Sequence, residues 1–302
     1  MVPTFIVIGA GRAGTTSLHG YLAQHPQVFV CAEKSPNYFV SLDVLPEWEG
    51  PRLRAMARQW VSDAGAYAAL FAEAGTATAL GDVSPVYLQS LNAPGRIKAL
   101  VPEVKLVAIL RDPVARAYAH YLGRCRDGLE SRATFADVVA EELSRPLPET
   151  VAFGSYLGCG RYHHFLRPYY DLFPREQIRV YLYEELTRDA PALMRALFEF
   201  LGVDAGFEPD LRRRTGQTGI VRHPVARFLW TRSVGVRTAL RPWLPGTLRD
   251  VAGPIVLRRL QRPPLDADMD ACIRPLFVED IRRLQVLIDR DLSHWLPSPA
   301  RA

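Results

Sequence analysis

The sequence predicts an α/β fold: a central parallel β-sheet flanked by helices on both faces, followed by a helical C-terminal extension. Two observations predict it. Along the 302 residues, short apolar runs alternate with stretches of helical periodicity, the pattern of successive βαβ units. The first apolar run passes through a glycine-rich turn directly into a helix pattern, FIVIGAGRAGTTSLHGYL at 5–22. That arrangement presents backbone N–H groups to a bound anion.

Taken in order, the apolar runs predict strands over 4–8, 27–31, 78–82, 105–110 and 178–183. Between them, helical periodicity covers 14–24, 50–74, 93–101, 113–127, 134–144 and 161–173. Leu106 to Leu110 is almost continuously apolar, as expected of a strand buried on both faces. Asp112 and Pro113 then open a helix, with proline near the first turn, where its missing N–H costs little. Residues 191–204 carry apolar side chains at 193, 194, 197, 198 and 201, and the pattern stops at Gly202. The chain reads as a single domain over 1–302, with an arginine-rich helical insertion or cap at 222–265.

The glycine turn admits three readings. Gly9 to Gly14 has the spacing of a Walker A loop, but Thr15 stands where the phosphate-binding lysine belongs, which disfavours an ordinary ATPase or GTPase. Gly9, Gly11 and Gly14 also match G-x-G-x-x-G, and Glu33 follows at about the distance of a ribose-binding acid, so a dinucleotide site is a rival. The third reading is a phosphosulfate loop: a cation in the turn (Arg12), then Ala13 and Gly14, then the hydroxyls of Thr15, Thr16 and Ser17. Here R-A-G-T-T-S-L at 12–18 resembles the sulfotransferase family, whose loop reads approximately [KR]-x-G-T-T-x-L. That family more often carries lysine first, and Arg12 keeps the charge on a planar fork.

A second motif separates the readings. Residues 105–121, KLVAILRDPVARAYAHY, place Arg111 just past a strand end, where open α/β sheets bind ligands. Arg116 and His120 share a helix face at i,i+4. The stretch closely resembles the family's 3′-phosphate motif, loosely R-[DN]-P-x-x-R-A-x-S-x-[YW]. By that resemblance Arg111 and position 119 bind the 3′-phosphate of 3′-phosphoadenosine 5′-phosphosulfate (PAPS). Ala119 stands where the motif has serine, so that hydroxyl contact is lost. Similar wording recurs at 160–189 and 280–296, and LRRRTGQTGIVRHP at 211–224 aligns loosely with a loop that closes over the nucleotide. From that loop Arg222 and His223 are carried as nucleotide-binding candidates, beside Arg212, Arg214 and Gly219.

The resemblance implies a P-loop-like fold and in-line transfer of a sulfuryl group from PAPS to a hydroxyl of a carbohydrate, lipid or small metabolite, without a metal. Arg12 is the candidate for the cation that opposes charge on the leaving phosphate. The base is less clearly marked. In the glycan-modifying branch it is a glutamate in a segment like K-E-x-H-[FY]-F, but 34–39 reads K-S-P-N-Y-F. Glu33 and Asp82 are the acids that follow strands at the same edge, with His19 and His120 ranked below them. Val83 stands where the family often has lysine. An NAD(P)-binding oxidoreductase is the alternative, and Ala119, Ser35 and Val83 keep open a nucleotide-binding module without turnover.

Composition bounds the remaining classes. The net charge is +5, with only three lysines among the cations. This suits a multiply charged nucleotide, and no aromatic–basic module suggests nucleic acid. Residues 222–262 hold nine arginines against one acid, Asp250. They read as a solvated cap, with an anionic acceptor or membrane interface as the sharper alternative. No apolar run is long enough to span a bilayer, and no leader precedes the first strand, so the expected location is cytoplasmic. Cys31, Cys125, Cys159 and Cys272 form no C-x-x-C pair and are expected as free thiols, with a Cys125–Cys159 bridge left open.

Overall fold

The computed structural model describes residues 1–31, 33–43, 57–127, 129–130, 132, 134–147, 149–150, 152–212, 220–221, 260–261 and 263–297. Arg214, Gly219, Arg222, His223 and the arginine-rich strip lie outside the described residues, apart from the pair 260–261. In chain order the elements begin β1 (Phe5–Gly9), α1 (Thr15–Leu22), β2 (Val28–Val30), α2 (Ala64–Ala69), β3 (Ala79–Val83) and α3 (Ala93–Leu100). They continue with β4 (Lys105–Leu110), α4 (Pro113–Arg126), α5 (Phe135–Leu143), α6 (Tyr162–Leu172), β5 (Ile178–Leu182), α7 (Tyr183–Arg188) and α8 (Ala190–Leu201). A two-stranded antiparallel pair, β6 (Ile220–Val221) and β7 (Leu260–Gln261), precedes α9 (Ala267–Ile273) and α10 (Val278–Ile288).

The five predicted strands form one parallel sheet in the order β2-β3-β1-β4-β5. β1 is central. Its successor β2 lies on one side, and β4 and β5 lie on the other. The connections after β1 and β4 therefore leave in opposite directions, which opens a crevice at the carboxyl ends of these two neighbours. All of β1 and β3 is buried, as is β4 beyond Lys105. One hydrophobic cluster takes in side chains from Phe5 to Trp295.

Helix boundaries follow local chemistry. Asp112 caps α4 by accepting from Ala115 N at 2.7 Å, with Pro113 at the first position. Thr134 and Asp137 form a reciprocal capping box on α5, satisfying two amide donors at once. α8 begins with the carboxylate of Asp189 on Ala192 N and ends at Gly202, whose φ of 79° closes the helix in the left-handed conformation glycine favours. The helix expected over 50–74 is shorter where described: α2 spans Ala64–Ala69, and 44–56 lie outside the described residues. α10 ends at Ile288, where Asp289 turns left-handed at φ 51°. Among the described residues no helix is long and apolar enough to cross a membrane.

The four cysteines are unbridged, so Cys125 and Cys159 are not a disulfide. Cys159 is buried and donates to the carbonyl of Ala152. Burial, then the negative charges of Asp82 and Glu33, push the Cys31 thiol up to about 12. Cys272 is exposed. Iodoacetamide at neutral pH should therefore label Cys272 first and reach Cys31 and Cys159 only after unfolding. Mass spectrometry of native and urea-treated protein checks this, and early labelling of Cys31 would contradict the packing.

Candidate active site

The glycine turn and the end of β4 meet in the crevice. Pairing between β1 and β4 slips at Val7/Gly9, and the amide of Ala10 donates to Ile109 O at 2.7 Å. Arg12 takes a left-handed conformation (φ 71°) and Gly14 another (φ 97°). A Cβ on Gly14 would lie 2.8 Å from Leu186 Cδ2, so glycine is required by both backbone and space. Gly14 precedes α1 without any side-chain cap, and the first turn of that helix carries no acid. Its positive dipole end thus faces the turn. Thr15 is buried, while Thr16 and Ser17 are half-buried. Lys34 Nζ donates to Thr16 Oγ1, adding a cation at this end. Its ammonium is held below the usual lysine range, first by desolvation and then by the like charge of Arg12.

Arg111 leaves the end of β4 and donates from Nη1 to the carbonyl of Arg12 at 3.2 Å. Its guanidinium stacks 4.5 Å from the centre of the Tyr183 ring, and its own carbonyl accepts from Tyr162 Oη at 2.9 Å. The two motifs found in sequence are thus joined by a direct hydrogen bond. Ala119 lies on α4 with no solvent exposure, packed where a serine hydroxyl was the family expectation.

One face of α4 supplies more charge than the sequence reading assigned. Arg116, His120 and Arg124 recur at i, i+4 and i+8, so they stack along one side of the helix, and Gly123 and Asp127 continue that side. Arg12 reaches back to it: its guanidinium lies on Gly123, 3.9 Å from Asp127. Nε of Arg116, Nδ1 of His120 and Nε of Arg124 are buried without a hydrogen-bond partner. Desolvation lowers the Arg12 pKa; Asp127 offsets it in part, and Arg126, Arg116 and Arg124 lower it further. Desolvation, then Arg116, Arg12 and Arg124, hold His120 well below the usual histidine range, so its imidazole is neutral. Clustered cations with unsatisfied donors form an environment in which a bound anion is stabilised.

The candidate acids occupy different settings. Glu33 is exposed, one residue before Lys34. Asp82 is wholly buried in β3 and accepts from Tyr67 Oη at 2.9 Å, Tyr87 Oη at 2.7 Å and Ser84 Oγ at 2.6 Å. Burial raises its pKa, and the three hydroxyl donors oppose that shift. Ser84 Oγ in turn accepts from Asn37 N at 3.1 Å, and Ser35 Oγ donates to Val83 O at 3.3 Å. The segment carrying Glu33 and Lys34 is thereby fastened to Asp82. A second buried carboxylate, Glu142, accepts from the amides of Tyr156, Leu157 and Gly158 and from Ser155 Oγ. It fixes the loop whose Tyr156 carbonyl accepts from Arg116. His19 lies one turn into α1, its Nε2 buried and unpaired.

Sequence reasoning did not assign Lys34, Arg124 or Glu142 to the site. The 116–120–124 spacing was a usable signal for Arg124. Glu142 looks in sequence like any polar helix residue.

An open parallel sheet with a cation-bearing glycine turn at β1 and an arginine at the end of β4 is an arrangement suited to phosphate-like anions. Comparison with known proteins carries this further. The profile described as the sulfotransferase family matches residues 3–209, and the chain belongs to that family, a class of sulfuryl-transfer enzymes. It is 26% identical over 206 residues to human bifunctional heparan sulfate N-deacetylase/N-sulfotransferase 2, a match covering 67% of this chain and 22% of that protein. The chain thus spans about a fifth of the length of the curated relatives it matches. A sulfotransferase structure from Alicyclobacillus acidocaldarius is 28% identical with a TM-score of 0.75, covering 98% of this chain and 99% of that one. Mouse sulfotransferase SULT7A1 complexed with PAP shares the fold, at 14% identity and a TM-score of 0.51, covering 93% and 85%.

If Asp82 fastens the 33–37 segment, Asp82→Ala strands three buried hydroxyl groups and should destabilise the protein by roughly 2–4 kcal/mol. Asp82→Asn, which retains an acceptor, should lose less. Urea unfolding measures both, and a loss below about 1 kcal/mol for the alanine variant would remove Asp82 from this role.

Proposed function

We propose that this chain transfers the sulfuryl group of PAPS to a hydroxyl of a carbohydrate, lipid or small metabolite. The observation that carries the reading is the junction of Arg111 with the Arg12 carbonyl, flanked by the unsatisfied cationic face of α4. A nucleotide charged at both its 5′ and 3′ ends complements such a site, and the buried, unpaired Nε–H groups of Arg116 and Arg124 are donors for it. PAPS supplies an activated sulfuryl group whose leaving group is a phosphate.

The chain's residues divide the work. Thr15, Thr16, Ser17 and the start of α1 hold the 5′ end, with Ala13 and Gly14 shaping the turn. Arg12 opposes the charge that develops on the leaving phosphate oxygen as the sulfur–oxygen bond breaks. Arg111 binds the 3′-phosphate, beside Ala119, and Arg222 and His223 are further nucleotide contacts implied by the family resemblance. Glu33 accepts the proton from the acceptor oxygen as that oxygen bonds to sulfur. Asp82, with both oxygens engaged by hydroxyls, acts as a positioning residue for the segment that carries Glu33. The nine arginines within 222–262 would suit an anionic acceptor or an anionic membrane. An amine acceptor is the second reading, favoured by the N-sulfotransferase named among the relatives.

Arg12→Ala should lower kcat about 100-fold or more, measured as release of adenosine 3′,5′-bisphosphate from PAPS across a panel of acceptors. Arg111→Ala should instead raise the Kd for that nucleotide, with a smaller effect on kcat. Glu33→Gln should lose about 100-fold or more in kcat while Asp82→Asn stays active. Near-normal turnover in Arg12→Ala, or activity in Glu33→Gln, would overturn those assignments. In thermal unfolding, adenosine 3′,5′-bisphosphate at 100 times its Kd should stabilise the protein by about 2.7 kcal/mol. A shift with NAD alone would return the dinucleotide reading.

A further inference from the structure

Gly123 lies inside the regular part of α4 (Pro113–Arg126), where glycine is less favourable than alanine. It has an ordinary helical backbone, so the turn chemistry that calls for glycine elsewhere is absent. What occupies the space of its missing side chain is Arg12. A Cβ at 123 would lie 2.5 Å from Arg12 Cζ, 2.5 Å from Nη1 and 2.7 Å from Nη2. Three nearly equal distances mean that the guanidinium plane rests face-on against the helix. The left-handed backbone of Arg12 (φ 71°) belongs to the same arrangement, as does Asp127, 3.9 Å away.

We propose that Gly123 is a positioning residue: its bare backbone is the seat that holds the Arg12 guanidinium between the phosphate loop and the cationic face of α4. A planar guanidinium is broader than the ammonium of a lysine, so an arginine at this loop position needs a flat, uncovered patch of helix behind it. Without the seat, the long side chain would be displaced from the row of Arg116, His120 and Arg124. The inference rests on the reading of Arg12 as a cation that meets the bound nucleotide.

The geometry predicts opposite signs for two observables. The group that a methyl at 123 would strike is the far end of a flexible side chain, so the helix and core stay intact. Gly123→Ala should therefore unfold at the same or higher urea concentration, through better helix propensity. Its Kd for adenosine 3′,5′-bisphosphate, by calorimetry, should rise at least fivefold. In an Arg12→Lys chain, whose ammonium does not use the seat, the same substitution should change Kd less than twofold. Wild-type affinity in Gly123→Ala would overturn the proposal, as would an equal loss in the Arg12→Lys background. If the wild-type chain itself fails to bind this nucleotide, the nucleotide reading fails separately. The seat is then decided by unfolding alone: Gly123→Ala should gain more stability with Arg12→Ala than with Arg12 present, and equal gains would overturn it.

Discussion

Arg111 leaves the carboxyl end of β4 and donates to the carbonyl of Arg12 in the turn that follows β1. That one hydrogen bond couples the connections of two adjacent strands whose chains leave in opposite directions. The sheet order β2-β3-β1-β4-β5 makes it possible, because only neighbouring strands bring their ends this close. Tyr183 completes the junction: its ring lies under the Arg111 guanidinium, and a Cβ on Gly14 would meet the same ring at 3.2 Å. Three elements distant in sequence therefore fix one crevice, and the charge of the site follows from what they carry into it.

Around that junction, buried and half-buried carboxylates anchor loops. Asp112 caps α4 and pairs with Arg274 at 2.6 Å, which ties the C-terminal helices to the end of β4. Asp82 gathers three hydroxyls and, through Ser84, holds the segment that bears Glu33 and Lys34. Glu142 collects the amides of 156–158 beside the α4 cations. Each acid stands where backbone or hydroxyl donors converge, so its burial is offset by hydrogen bonds. On α4, by contrast, Arg116 and Arg124 each keep a buried Nε without a hydrogen-bond partner.

Much of this was legible in the sequence. All five strands of the parallel sheet were found, because each is short, apolar and bounded by turn residues. The glycine turn and Arg111 could be singled out because each motif is local in sequence. The join between them required strand order, which no local pattern contains. Asp82 reads in sequence as a candidate base near a strand end, whereas the two tyrosines and the serine that engage both its oxygens are set by the fold, and Tyr67 lies 15 residues away. Glu142 and Gly123 were invisible for a related reason: their partners, the 155–158 loop and Arg12, are distant along the chain. Arg214, Gly219, Arg222 and His223 lie outside the described residues and add nothing to this comparison.

The central claim is that the β1 turn and Arg111 form one site that holds a nucleotide by two phosphates. Calorimetric titration of adenosine 3′,5′-bisphosphate against adenosine 5′-monophosphate, in wild-type protein and in Arg111→Ala, tests it most directly. The account predicts at least tenfold tighter binding of the bisphosphate by the wild-type chain, a difference of about 1.4 kcal/mol, and loss of that preference in the variant. Equal affinity for the two nucleotides in wild-type protein, or a preference untouched by Arg111→Ala, would contradict it.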